Sequence, residues 1–138
     1  PEGGAPPRAV LLALHGFNDY SVNFMGESAG LFTPHGIAVY AYDQRGFGAA
    51  PHPGIWPGEA TLAADASTAA RLIRARHPGV PLYLLGESSD EAGNVRSRLQ
   101  LFDVTEPRRA RSVGMTEAGY STEMLAMVAD EAIQIHGG

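Results

Sequence analysis

The feature that most constrains the fold is a short apolar run, residues 80–85, that leads directly into Gly86-Glu87-Ser88. A run of this length bounded by turn-forming residues is typical of a strand buried on both faces of a parallel sheet. A serine at the end of such a strand suits a G-x-S-x-G turn, in which glycines allow a tight bend that exposes the hydroxyl above the sheet. Gly86 and Ser88 fit this pattern, whereas Asp90 occupies the position of the last glycine.

Two further apolar runs, residues 9–14 and 37–42, precede this one, and each ends in a loop that contains glycine. Between the second and third runs, residues 59–77 have helical periodicity. The apolar residues on one face of that helix are Leu62, Ala66, Ala69 and Ile73. Strands that alternate with helices in this way predict an α/β fold, a three-layer sandwich around a mostly parallel sheet.

Three weaker patterns complete the predicted organisation. Residues 20–32 have the mixed pattern of a helix that Pro34 would close, and residues 99–104 predict a further strand. A final helix begins with Ser121 as its cap and stops at Gly137. We therefore expect a single domain over residues 1–138, with residues 89–114 unassigned and residues 115–138 forming a helical tail.

The composition excludes several kinds of function. The net charge of −5, without a basic run, argues against a nucleic-acid partner. The absence of cysteine excludes disulfides and thiolate nucleophiles. No apolar run is long enough for a transmembrane helix, and the histidines lack metal-ligand spacing, so neither a membrane span nor a metal or other cofactor is expected. Because the chain begins at Pro1 rather than methionine, we expect a truncated or composite chain. We also expect the protein to be cytoplasmic.

Two Gly-Glu-Ser sequences compete as the nucleophile site. The first, residues 26–30, matches G-x-S-x-G in full. However, no convincing strand precedes Ser28, and Pro34 and Gly36 leave no room for a helix after it. Ser88 follows a strong strand pattern, and structural context identifies such a motif better than its letters do. Ser88 is therefore the predicted nucleophile.

A nucleophilic serine needs a base, and the base needs a carboxylate that orients it. After Ser88 the only histidine is His136, and Asp103 is better placed than Asp130 as the acid, because it ends a predicted strand. A triad of Ser88, Asp103 and His136 is therefore formally available. The alternative is that His136 is unrelated to Ser88 and that the serine is inert.

Backbone N–H groups must also stabilise the oxyanion that forms during attack. The N–H groups of Phe17, in the loop after the first strand, and of Ser89, directly after the nucleophile, are the predicted donors. His15 in the same loop is interpreted as a residue that holds the loop rather than as a base.

Three segments together carry a family resemblance: residues 14–17 (LHGF), 42–48 (YDQRGFG) and 85–88 (LGES). They resemble the α/β-hydrolase superfamily, most closely the monoacylglycerol lipase and lysophospholipase branch, also described as serine aminopeptidase-like. The resemblance covers about residues 8–88. It implies an incomplete α/β-hydrolase fold and a serine hydrolase that acts on a small-molecule ester or lipid, without a cofactor. The loop-supporting residues that it implies are His15, Gly16, Asp43 and Arg45.

The tail resembles a different family. Residues 115–138, and above all residues 132–138 (AIQIHGG), are similar to a C-terminal helix of acyl-CoA dehydrogenases, which lies beside the flavin dinucleotide at a subunit contact. This suggests a composite chain in which a hydrolase amino half is joined to an unrelated tail. Two alternatives to a hydrolase follow, a catalytically inactive fragment and a fragment of an FAD-dependent, acyl-CoA dehydrogenase-like protein.

Overall fold

The computed structural model describes residues 5–16, 20–88, 98–106 and 109–117. Its helical segments are α1 (Ser21–Met25), two 3₁₀ turns (Ser28–Leu31 and Thr33–His35) and α2 (Glu59–Arg76). Its strands are β1 (Ala9–Leu14), β2 (Ile37–Ala41), β3 (Leu82–Ser88), β4 (Arg98–Asp103) and β5 (Arg111–Glu117). All five strands belong to one sheet, in the order β2-β1-β3-β4-β5.

The sheet is mixed, so the predicted mostly parallel sheet is wrong. β1 runs parallel to β2 and to β3, but β3 pairs with β4, and β4 with β5, in the antiparallel sense. Parallel neighbours need a crossover of a dozen or more residues, which the segments containing α1 and α2 provide. The connections that follow β3 and β4 are shorter than that. They can therefore join only strands that run in opposite directions.

β1 lies between two apolar cores because its side chains alternate between the two faces of the sheet. Ala9, Leu11 and Ala13 pack on the face that α1 and the 3₁₀ turns cover. Val10 and Leu12 pack on the opposite face, against α2. The other buried members of the α1-side core are Phe24, Met25, Phe32, Ile37, Tyr83, Leu85, Leu99 and Leu101. Helical segments on both sides of the sheet give three layers.

Most predicted elements are confirmed. The three apolar runs are β1, β2 and β3, and the predicted strand at residues 99–104 is β4. Helix α2 turns the predicted face inward, since Ile73 and the neighbouring Ala70 are buried. No helix in the described part of the chain is both long enough and apolar enough to cross a membrane.

Two predictions about helices need correction. The expected helix over residues 20–32 is helical only from Ser21 to Met25 and then continues as 3₁₀ turns. Gly26 and Gly30 interrupt the segment, and glycine weakens an α-helix relative to alanine. The helical tail was expected to begin at Met115, but residues 115–117 belong to β5. The rest of that tail lies outside the described residues.

Candidate active site

The candidate residues gather where β1, β2 and β3 end. From β1 the chain moves to β2 on one side and later to β3 on the other side. At such a switch point the loops leave adjacent parallel strands in opposite directions, and a crevice opens between them. The register pairs Leu14 with Gly86, so Gly16 and Ser88 each lie two residues further along and reach the same edge of the sheet. The backbones of Gly16 and Ser88 therefore lie at the same edge of the sheet, at the switch point.

His15 is buried and hydrogen-bonded through both ring nitrogens. Its Nε2 accepts the backbone N–H of Gln44 at 2.9 Å, and its Nδ1 lies 2.9 Å from the carbonyl oxygen of Gly16. A nitrogen that accepts an N–H carries no proton, so the neutral ring carries its proton on Nδ1 and donates it to Gly16. With its lone pair occupied, His15 is held as a structural link rather than as a proton acceptor for the crevice.

Gln44 completes this link, although only its position after a predicted strand marked it in the sequence. Its side-chain amide donates to the His15 carbonyl at 2.6 Å, so Gln44 and His15 are joined by two hydrogen bonds. Phe47 packs edge-on against the His15 ring, with ring centroids 5.4 Å apart. The loops after β1 and β2 are thereby locked to each other.

Asp43 is the centre of a second cluster of hydrogen bonds. Its carboxylate accepts the backbone N–H of Ser21 at 2.8 Å, the Ser21 hydroxyl at 2.6 Å and the backbone N–H of Ala49 at 2.8 Å. These hydrogen bonds lower the pKa of Asp43 to about 2. The bond from the Ser21 hydroxyl contributes most, followed by the bonds from the two backbone N–H groups. Asp43 therefore caps α1 as a carboxylate and fixes the loop after β2.

The close approach of the backbone to Asp43 explains why residue 48 is glycine. Gly48 has a φ of +53°, in the left-handed region. A side chain at this position would also overlap the Asp43 carboxylate. The loop thus needs glycine for both its conformation and its close approach to Asp43.

Arg45 attaches the same loop to helix α2. Its guanidinium donates two hydrogen bonds to Asp65, from Nε and from Nη2, each at 3.0 Å. Asp65 lies in the second turn of α2. Two parallel bonds of this kind fix orientation as well as distance. Arg45 thus ties the loop after β2 to helix α2.

Glu87, directly before Ser88, contacts the loop after β1. Its carboxylate Oε2 accepts the backbone N–H of Gly16 at 2.8 Å. The atoms nearest to a Cβ added at Gly16 would be those of the Glu87 side chain, the closest at 2.9 Å. A side chain at position 16 would therefore require the Glu87 carboxylate to move away from the Gly16 backbone. The sequence reasoning missed Glu87, although its place between Gly86 and Ser88 was a signal.

Ser88 is the last residue of β3 and pairs with Arg98 of β4. A nucleophile on a strand-to-helix turn stands just beyond its strand. The expected strand is therefore present before the serine, and it extends through Ser88 itself. Phe17, Ser89 and His136, together with Asp90 and Asp130, lie outside the described residues.

Asp103 does not lie near Ser88. In the antiparallel ladder Asp103 is opposite Tyr83, whereas Ser88 is opposite Arg98. Five residues of extended strand separate the two positions by about 17 Å, so Asp103 lies at the opposite end of the sheet. There its carboxylate accepts the N–H of Thr105 at 3.0 Å and lies 3.8 Å from the guanidinium of Arg111. The register corrects its assignment to the triad: Asp103 supports the turn after β4.

Ser28 has the local structure expected of a serine outside a nucleophile turn. It begins a 3₁₀ turn, and α1 rather than a strand precedes it. Within the described ranges no three histidine, aspartate or glutamate side chains form a cluster that could hold a metal ion. The polar residues at the ends of β1, β2 and β3 remain the candidate site.

Comparison with known families matches the part of the chain that contains these residues. Residues 5–89 match the family described as serine aminopeptidase, S33, which belongs to the α/β-hydrolase superfamily, and the match spans more than half of the chain. The chain belongs to the serine aminopeptidase S33 family. This membership indicates a hydrolase of the α/β-hydrolase type. Among curated proteins, none matches the chain closely enough to count as a relative.

The S33 match contains the whole candidate site and stops beside it. It includes β1, β2, α2 and β3, and it ends at residue 89, next to Ser88. β4 and β5 lie beyond the match, although they belong to the same sheet. The resemblance of residues 115–138 to acyl-CoA dehydrogenases receives no support from this match.

Proposed function

We propose that the chain carries the nucleophile half of a serine carboxylic-ester hydrolase, with Ser88 as the nucleophile. The observation that carries the proposal is the position of Ser88 at the end of β3, beside the loop after β1, at the switch point of the sheet. The proposed substrate is a small ester. The resemblance to the monoacylglycerol lipase and lysophospholipase branch favours a single-chain acyl ester, such as a monoacylglycerol or a lysophospholipid.

The reaction is acyl transfer to water in two steps. The Ser88 hydroxyl oxygen attacks the ester carbonyl carbon while a base takes the hydroxyl proton. The carbonyl oxygen becomes an oxyanion, to which the N–H groups of Phe17 and Ser89 would donate. The intermediate collapses to a Ser88 acyl ester and releases the alcohol, which receives the proton from the base. Water then attacks the acyl ester by the same route and frees the carboxylic acid.

The base in this proposal is His136. His15 is unsuitable, because its Nε2 lone pair is occupied by the Gln44 N–H. With Asp103 at the far end of the sheet, the proposed acid is Asp130, the other of the two candidates weighed from the sequence. The proposed triad is therefore Ser88, Asp130 and His136.

An activity-based label tests the nucleophile. A fluorophosphonate should modify Ser88, and peptide mass spectrometry should locate the adduct there. Ser88→Ala should remove the adduct and lower the hydrolysis of p-nitrophenyl esters at least 1,000-fold, the order of loss seen when a nucleophile is removed. Ser28→Ala is the matched control, since Ser28 ends the other Gly-Glu-Ser sequence, and it should retain both properties.

The result of this labelling also distinguishes the hydrolase proposal from its main alternative, a non-catalytic role. A non-catalytic role is favoured by one observation, namely that Ser88 is paired with Arg98 in a continuous strand. If fluorophosphonate leaves Ser88 unmodified and Ser88→Ala hydrolyses esters as fast as the unaltered chain, the hydrolase proposal fails and the non-catalytic role stands. Retained flavin absorbance after purification would instead point to the acyl-CoA dehydrogenase-like alternative, which no described residue favours.

A further inference from the structure

We propose that Glu87 is a positioning residue that fixes the loop after β1 through the N–H of Gly16, so that the following N–H is presented to the oxyanion. This inference rests on the proposed function, which makes Ser88 the nucleophile and Phe17 an oxyanion donor. It concerns a residue that neither the G-x-S-x-G pattern nor the S33 match singles out.

The contact is direct and crosses the switch point. Gly16 and Glu87 are 71 positions apart in the chain, yet Oε2 of Glu87 lies 2.8 Å from the backbone nitrogen of Gly16. The backbone comes so close that the nearest atom to a Cβ added at Gly16 would be the Glu87 carboxyl carbon, at 2.9 Å. The side chain before the proposed nucleophile thus binds the backbone at the start of the loop after β1.

The place of Glu87 in the sheet favours this bond. Glu87 is directly opposite Leu99 on β4, and Leu99 is buried in the core on the α1 side. Tyr83 and Leu85, at alternate positions before Glu87, belong to the same core. A carboxylate at the border of an apolar core is costly unless it is hydrogen-bonded, and hydrogen bonds to a charged group are stronger than neutral ones. The hydrogen bond from the Gly16 N–H offsets that cost, and the same bond fixes the backbone of Gly16.

This bond decides which loop donors remain for a substrate. The Gly16 N–H points at Glu87 and is occupied, so an oxyanion donor in this loop must come from a later residue. Phe17 is the next residue. His15 is fixed from the other side by Gln44, so the backbone before the predicted donor is held at two successive residues. Such prior fixation is what an oxyanion site requires, because donors must not reorganise during the reaction.

The first experiment separates positioning from mere folding. Glu87→Ala removes the acceptor and should lower kcat for p-nitrophenyl butyrate about 100-fold, within the range for losing one oxyanion donor, with KM within about twofold. Glu87→Gln keeps a side-chain carbonyl that can accept the same N–H, so it should recover kcat to within about tenfold of the unaltered chain. Glu27→Gln, in the other Gly-Glu-Ser sequence and exposed, is the matched control and should change nothing. Unaltered kcat in Glu87→Ala, or equal losses in the Ala and Gln variants, would overturn the inference.

A second readout does not depend on activity. In ¹H–¹⁵N spectra the Gly16 amide should move as the Glu87 carboxylate is protonated in acid, and this movement should vanish in Glu87→Ala and persist in Glu27→Gln. If the amide moves as expected while fluorophosphonate leaves Ser88 unmodified, the Glu87 contact stands and the proposed hydrolase function fails. If Ser88 is labelled but the Gly16 amide does not respond to Glu87, the inference fails and the hydrolase function stands.

Discussion

Among single residues, Asp43 is the one whose charge most directly supports the loops around the candidate site. Hydrogen bonds from Ser21 and Ala49 lower its pKa from 3.8 to about 2. A carboxyl group with a lowered pKa in the folded state stabilises the fold above its unfolded pKa, and this contribution is lost as the pH falls through the folded pKa. We therefore expect Asp43 to stabilise the fold at pH 5 and to lose this contribution between about pH 4 and pH 2.

Asp43→Asn isolates this contribution. Asparagine keeps the shape but not the charge, and its amide nitrogen cannot accept the N–H of Ala49. The variant should be less stable than the unaltered chain by roughly 1 kcal/mol at pH 5, a figure that allows for solvent screening, and the difference should shrink towards pH 2. Urea unfolding at a series of pH values measures it. Ser21→Ala is the companion variant, and it should raise the pKa of Asp43 because it removes the largest cause of the shift. A stability difference that is constant with pH would contradict this account.

At the scale of elements, α2 offers a direct test of how its faces are used. Ile73 is 6% exposed and packs in the core on the α2 side, whereas its neighbour Leu72 is 63% exposed. Ile73→Ala should therefore lower the free energy of unfolding by about 2–4 kcal/mol, because it leaves a cavity beneath the helix. Leu72→Ala removes a side chain of the same size from the exposed face of the helix and should change it by less than about 0.5 kcal/mol. Equal losses in urea unfolding would show that the helix packs on a different face.

The elements also show what sequence reasoning can and cannot reach. Continuous apolar runs predicted β1 and β2 because the side chains of each strand supply the signal, although β1 is buried along nearly its whole length and β2 only in part. β5 was missed because Arg111-Ser112-Val113-Gly114 has no apolar run. It is an edge strand held by its ladder with β4, and such pairing leaves little trace in the strand's own sequence. The antiparallel direction of β4 could not be read from its pattern either, because periodicity reports burial rather than direction.

In the candidate site, too, the sequence allowed some residues to be placed and others not. Residues at the ends of predicted strands, such as Asp43 and Ser88, could be placed at one edge of the sheet because parallel strands share their carboxyl ends. The residues that form hydrogen bonds with these loop residues could not be identified from the sequence. Ser21 and Asp65 contact Asp43 and Arg45 over 20 or more positions, and side-chain hydrogen bonds of that span leave no periodic pattern. Asp103 was misplaced for a related reason, since an antiparallel partner strand carries its final residue to the opposite end of the sheet.

For the molecule as a whole, the mixed sheet joins the S33-matched part to the strands that follow it. Leu99 and Leu101 of β4 lie in the same core as Leu11 and Phe24, which belong to the matched residues. β4 also forms six register pairs with β3, from Tyr83–Asp103 to Ser88–Arg98. A core shared in this way should unfold together, because neither set of strands covers its apolar face without the other.

We therefore expect one cooperative unfolding transition, followed equally by Trp56 fluorescence, which reports on the matched part, and by far-ultraviolet circular dichroism, which reports on the backbone of the whole chain. Leu101→Ala, in the unmatched part and 2% exposed, should lower the stability by about 2–4 kcal/mol and should shift both signals to the same lower urea midpoint. Val113→Ala on β5, at a half-buried position on the border of the same core, is the milder companion and should shift both midpoints less. Two separate transitions, with Leu101→Ala moving only the circular dichroism signal, would show that β4 and β5 fold independently of the hydrolase-like strands.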